Sequence, residues 1–253
     1  VLLKYFDEKI SAIVLILIIL GTNYYHSAGF SYTMAHNYIF TLYAVLLYCV
    51  VCWHEKPKIR FIVWAAVTAG LAILSRPTEC VCLVILVLYG VYNKETFLFK
   101  LKLMWQYKFH VLLFGCIIMM IGMPQFFYWK WITGKYLYMS YNNPGEGLEL
   151  LTPYMFEVLF SFRKGWYIYT PMMFLATIGF YRIYKTKKEI FPALFVFFVL
   201  NLYLVSCWSN WWYADSFGQR AMVQSMAIMA IPLGFFIDWA GNGKIFRKVC
   251  IAM

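Results

Sequence analysis

Residues 11–54 read SAIVLILIILGTNYYHSAGFSYTMAHNYIFTLYAVLLYCVVCWH and contain no Asp, Glu, Lys or Arg. A helix that crosses a bilayer needs about 20 predominantly apolar residues, since roughly 30 Å of hydrocarbon is covered at about 1.5 Å per residue. This stretch holds two such lengths, parted by the polar run GTNYYHSAGFSYT, so crossings are expected at residues 10–25 and 34–53.

The same reading extends along the chain. Residues 61–75 and 80–92 are short apolar runs separated by RPTE, which reads as a tight hairpin because Pro77 breaks a helix. Arg76 and Glu79 would then sit at a water-facing tip; a re-entrant or broken helix is the rival. Residues 109–129, 165–181, 190–208 and 221–238 complete eight crossings. The fold class expected is an all-α, polytopic transmembrane bundle, one domain over residues 1–253, with a long loop at residues 133–164. The apolar end of that loop, residues 153–162, has the pattern of a short interfacial helix with Glu157 on its wet side.

Composition agrees. The 253 residues are 63% apolar, 21% aromatic and only 13% charged, against about 25% charged in soluble domains. That excludes disordered, fibrous and small disulfide-rich classes and argues against a water-soluble enzyme. The net charge of +11 would suggest nucleic acid in a soluble protein, but here it reads as orientation. Lys4, Lys9, Lys56, Lys58, Arg60, Lys94, Lys100, Lys102, Lys108, Arg182, Lys185, Lys187, Lys188, Lys244, Arg247 and Lys248 fall on one side of the eight-span topology. Arg76, Lys130, Lys135, Arg163, Lys164 and Arg220 fall on the other. The expectation is a cell inner membrane protein with both chain ends cytoplasmic and no nucleic-acid partner. Seven cysteines lie in or near the spans without companion ligands at zinc spacing, and read as small apolar filler.

Ionisable groups at membrane depth point to function. On the outer side, four places qualify: Arg76 with Glu79; Trp211, Trp212, Asp215 and Arg220 in WWYADSFGQR; Arg163 in FSFRKGWYIYTP; and His36. Arginine suits a phosphate through its fork of donors, and Trp faces can stack on a sugar ring or a lipid tail. Each also has a plainer reading, as an interfacial anchor or a locally paired charge. No carboxylate pair has ligand spacing for a divalent metal, and no cofactor is expected. A transporter or flippase of an anionic substrate is the competing class, and should show helix-breaking polar features near the midplane of several spans. A non-catalytic structural membrane protein is the third.

The series GTNYYHSAGFSYTMAHNYIF, GLAILSRPTE, SYNNPGEG, FSFRKGWYIYTPMMFLATIGF and WWYADSFGQRAMVQSMAIMAIPLG resembles the polytopic GT-C-type glycosyltransferases of bacterial membranes. The likeness is to the mannosyltransferase-like, RgtA/B/C/D-like group of Bacteroidota-type bacteria, and it covers residues 21–234. It implies transfer of a sugar from a polyprenyl-phosphate-linked donor to a glycan, lipid or protein acceptor on the outer face of the membrane. Arg76, Arg163, Trp211, Trp212, Asp215 and Arg220 match motif positions. Two departures stand out. Ala214 occupies a position where glycine is usual in the tryptophan motif, and residues 24–33 lack the acid expected in the family's first outer loop. With Val1 rather than Met at the start, the resemblance implies an acid-bearing segment upstream. Asp215 is the candidate within this chain for a general base that deprotonates the acceptor.

Overall fold

A computed structural model describes residues 1–138 and 146–242. Residues 139–145, which include the SYNNPG part of SYNNPGEG, and the expected inner-side charges Lys244, Arg247 and Lys248 lie outside the described residues. Among these the chain is all-helical, the sole β feature being an isolated bridge between Leu148 and Trp208.

The helices are α1 (Glu8–Leu20), α2 (Tyr24–Phe30), α3 (Ala35–Glu55), α4 (Ile59–Ser75), α5 (Leu83–Leu88), α6 (Lys94–Gln106), α7 (Lys108–Thr133), α8 (Met155–Phe160), α9 (Trp166–Tyr169), α10 (Pro171–Thr186), α11 (Phe191–Ser206) and α12 (Met226–Asn242). Local chemistry sets the ends. Asp7 caps α1 by accepting from the Ile10 amide at 2.8 Å, and Asn93 with Thr96 forms a capping box on α6. Gly134 closes α7 in the left-handed region at φ +76°, as a helix C-terminus favours.

Where eight crossings were expected, two helices among the described residues are long and apolar enough to span, α3 and α7. A third span results if α1 and α2, bent by 57°, are counted together. The bend falls at Gly21–Asn23, where Thr22 Oγ1 donates to the Ile18 carbonyl and accepts from the Tyr24 amide. The other apolar helices, Ile59–Ser75, Phe191–Ser206 and Met226–Gly241, run to at most 17 residues. At about 1.5 Å per residue they fall short of a 30 Å core. Residues 80–92 do not form one helix either. Pro77–Cys82 is a 3-10 turn leading into the six-residue α5. The chain does reverse there, but Glu79 is buried rather than at a wet tip. Lys100 is likewise not a solvated loop charge: it sits on α6 and is buried. The stretch expected to lie in the interface forms the short α8, with Val158 buried and Phe156 exposed.

α12 is the hub. It packs against α10, α1 and α3, and Met226, Ile228, Met229 and Leu233 are wholly enclosed. A helix apolar all round belongs in such a position. Its closest approach is to α10, where a Cβ on Gly179 would stand 2.0 Å from the Pro232 carbonyl oxygen. On the flank, α3 packs on α4 and α4 on α7. α7 buries Ile117 alone and leaves Leu112, Met119, Met120, Phe127 and Trp131 exposed.

Candidate functional site

A cavity of about 350 Å³ opens where four chain segments meet. The first is the start of α3, carrying Met34, Ala35 and His36. The second is the turn from Ser75 to Glu79. The third is the end of α11 with the following loop, supplying Asn201, Leu204, Val205, Trp208, Tyr213 and Arg220. Leu148 closes the fourth side.

Each segment is held for a local reason. In a 3-10 turn, residues three apart share a face. Arg76, the N-cap residue, and Glu79 are therefore together, with Nη1 and Oε1 3.9 Å apart. The stretch from Gly147 to Tyr154 lies along the end of α11. The Ser209 amide donates to the Gly147 carbonyl at 2.9 Å and the Gly147 amide to Ser209 Oγ at 3.0 Å, and the Glu149 and Tyr154 amides donate to the Cys207 and Ser206 carbonyls at 2.6 and 2.8 Å. This pins Leu148 over the cavity. The loop after α11 is fastened by buried Gln219, whose Nε2 donates to the Trp211 carbonyl at 2.8 Å, and by Asn23, which donates to the Phe217 carbonyl at 3.1 Å. Gly218 turns through φ +62° against the Tyr169 side chain.

The floor is polar. Glu79 accepts a short bond from the Tyr43 hydroxyl and a 3.1 Å bond from Gln224 Nε2. Gln224 Oε1 lies 2.9 Å from His36 Nδ1, and Arg76 Nη1 lies 3.2 Å from the same nitrogen. Arg220 is the less satisfied cation. Its Nε has no hydrogen-bond partner among the described residues, and Nη1 reaches only the Met34 sulfur at 4.0 Å. Burial first, and the Arg76 charge second, hold this guanidinium below its usual range. Two cations thus share a cavity that contains one carboxylate. The walls are apolar: Leu148, Leu204, Val205 and Met34. Such a mixture can hold an anionic head group with an apolar tail. Among the described residues no three His, Cys, Asp or Glu side chains come together as a metal cluster.

Of the residues singled out from sequence, Arg76, Glu79, His36 and Arg220 come together here. The others do not line the cavity. Arg163 stacks over the Trp212 ring at 4.1 Å, and Trp212 meets Trp211 edge-on at 5.8 Å, so these three satisfy one another. Asp215 is exposed, following two residues with left-handed backbone, Tyr213 at φ 51° and Ala214 at φ 50°. Sequence reasoning missed Gln224, Tyr43, Asn201 and Tyr213 as parts of the site. The available signal was amides inside apolar runs, Asn201 in FVLNLYLV and Gln224 in AMVQSMAI; nothing marked Tyr43.

No family profile, curated protein or solved structure matches this chain.

Proposed function

We propose that the protein is a GT-C-like membrane glycosyltransferase that takes a sugar from a polyprenyl-phosphate donor at this cavity. In this reading the chain is a multi-pass protein of the bacterial inner membrane, the shorter apolar helices being packed within the bundle. The positive residues of the majority side face the cytoplasm and the cavity faces outward. The observation that carries the reading is the convergence of Arg76 and Arg220 on one apolar-walled cavity. Their guanidinium groups take the donor phosphate, where negative charge develops as the sugar leaves. Leu148, Leu204, Val205 and Met34 receive the first isoprene units.

The test is transfer of radiolabelled sugar from a polyprenyl-phosphate donor to endogenous acceptor in membranes. Wild type is expected to transfer, and Arg76→Ala and Arg220→Ala to lose most of that activity. Undiminished transfer in both variants would refute the site.

A further inference from the structure

Four enclosed polar side chains form a line from the core to the cavity: Tyr43, Glu79, Gln224 and His36. When Glu79 is ionised the bonds from Tyr43 and Gln224 have a fixed direction, and His36 Nδ1 either donates to Gln224 or accepts from Arg76. A carboxylate only accepts, so the Gln224 side that faces Glu79 must be its NH2 group. Gln224 therefore presents its carbonyl oxygen to His36 at 2.9 Å, and a carbonyl also only accepts. In the shorter of its two contacts, 2.9 Å to Gln224 against 3.2 Å to Arg76, His36 Nδ1 carries the hydrogen. A neutral imidazole has a single N–H, so Nε2 is left as a bare lone pair, and it makes no hydrogen bond among the described residues. His36 lines the cavity. Because Nδ1 donates to Gln224, it cannot also accept from Arg76 Nη1 at 3.2 Å. That guanidinium group, whose Nη1 also lies 3.9 Å from Glu79 Oε1, can turn an N–H to an anion in the cavity.

We propose that His36 is the proton acceptor of the cavity, and that Gln224, Glu79 and Tyr43 are positioning residues that fix its tautomer. The proposal rests on the transfer reading above. The acceptor hydroxyl gives its proton to His36 Nε2 as its oxygen forms a bond to the anomeric carbon. The bond from that carbon to the phosphate oxygen breaks, and its electron pair stays on the phosphate between Arg76 and Arg220. The imidazolium then returns its proton to water. Glu79, through Gln224, opposes the positive charge that the ring gains. A second carboxylate inside the cavity is not required. The charged and titratable groups facing His36 are Arg76, Glu79, Arg220, Tyr213 and, on its own helix, Tyr43.

The experiment uses full-length protein in nanodiscs. His36→Ala should lower kcat by about 10²–10⁴ without changing KM for the polyprenyl-phosphate donor, and added imidazole should restore part of it. The wild-type pH–kcat profile should lose its acid limb in this variant. Gln224→Leu should lower kcat in the same direction. Binding of polyprenyl monophosphate, read by tryptophan fluorescence, should persist in both variants and so establish that they fold. Labelled-histidine NMR of the resting protein should give the Nδ1–H form for the signal that His36→Asn removes. A His36→Ala kcat within threefold of wild type, or an Nε2–H tautomer, would overturn the proposal while wild-type transfer upholds the glycosyltransferase reading. Absence of transfer by wild type would remove that reading, and the proposal with it. Loss of lipid-phosphate binding in both His36→Ala and His36→Asn would also count against it, as His36 would then be a structural group.

Discussion

α3 carries a histidine near each end, His36 buried and His54 half-buried, and each has a cation beside it. At the far end His54 Nδ1 donates to the Val50 carbonyl at 2.7 Å, and Nε2 accepts a short bond from Lys100. Lys100 also donates to the Leu86 and Tyr89 carbonyls at 2.8 and 3.3 Å. Three ammonium hydrogens meet three acceptors, and the adjoining apolar cleft holds only about 40 Å³. At the His36 end the two guanidinium groups have more donors than the protein satisfies, and they border about 350 Å³. A buried cation is therefore not in itself a sign of a site. Lys100 is a staple that ties α3, α5 and α6; Arg76 and Arg220 are held open.

Breaking the contrast at its open end should have the largest effect. Arg220→Ala is expected to lower transfer by about 10²–10³, or roughly 3–4 kcal/mol of transition-state stabilisation, as for loss of one preorganised donor. Thermal stability in detergent should hardly change, because that side chain makes no strong bond to the protein. Lys100→Met should do the reverse. It strands His54 Nε2 and two carbonyls in the interior, costing about 2–3 kcal/mol of stability, with KM for the donor unchanged. A thermal melt and a transfer assay on both variants check the crossing.

The staple also predicts a pH dependence. Burial pushes the Lys100 ammonium down to about 8, below the roughly 10.4 of an unfolded chain. Between those values the unfolded state binds more protons, so stability should rise as pH increases from about 8 towards 10. Below pH 8 the contribution is flat, and the slope is bounded by about 1.4 kcal/mol per unit for one group. Lys100→Met should abolish that rise, which denaturation between pH 7 and 10 would reveal.

Ala214 offers a smaller effect in the loop that carries Arg220. Its φ of 50° is a conformation that an L side chain adopts at a cost of roughly 1–2 kcal/mol, and glycine adopts freely. Ala214→Gly should raise stability by about 1 kcal/mol, less what the freer unfolded chain takes back. Ala214 does not line the cavity, so the substitution should leave transfer intact.

The sequence made the helical class plain, and located α3 and α7 to within a few residues, because long uncharged runs have few other solutions in water or lipid. It did less well wherever short contacts decide. α6 was hidden by its lysines, of which Lys100 turns inward while Lys94 and Lys102 are exposed. The 3-10 turn at Pro77 looked like an exposed tip, since Arg76 and Glu79 are charged; tertiary partners from α3 and the segment before α12 bury the acid. The site was legible as four of its polar groups. Its connections were not: His36 and Gln224 are 188 residues apart and Glu79 and Gln224 145 apart. No periodicity encodes a bond between side chains at that separation.

Asp215 provides the finest test of the comparison, because it is an acid close to Arg220 in sequence yet outside the cavity. It is exposed and acts only at longer range on Lys164 and Arg220. Charges that interact through solvent are weakly coupled and screened by salt. Asp215→Asn should therefore leave kcat within about threefold, and it should lower KM for the phosphate donor slightly, since Arg220 loses a competing anion. That shift should shrink in 0.5 M salt, whereas the Arg220→Ala loss should remain. A hundredfold fall in kcat for Asp215→Asn would put the proton acceptor on the rim of the cavity, and would make the His36 end of α3 as purely structural as the His54 end.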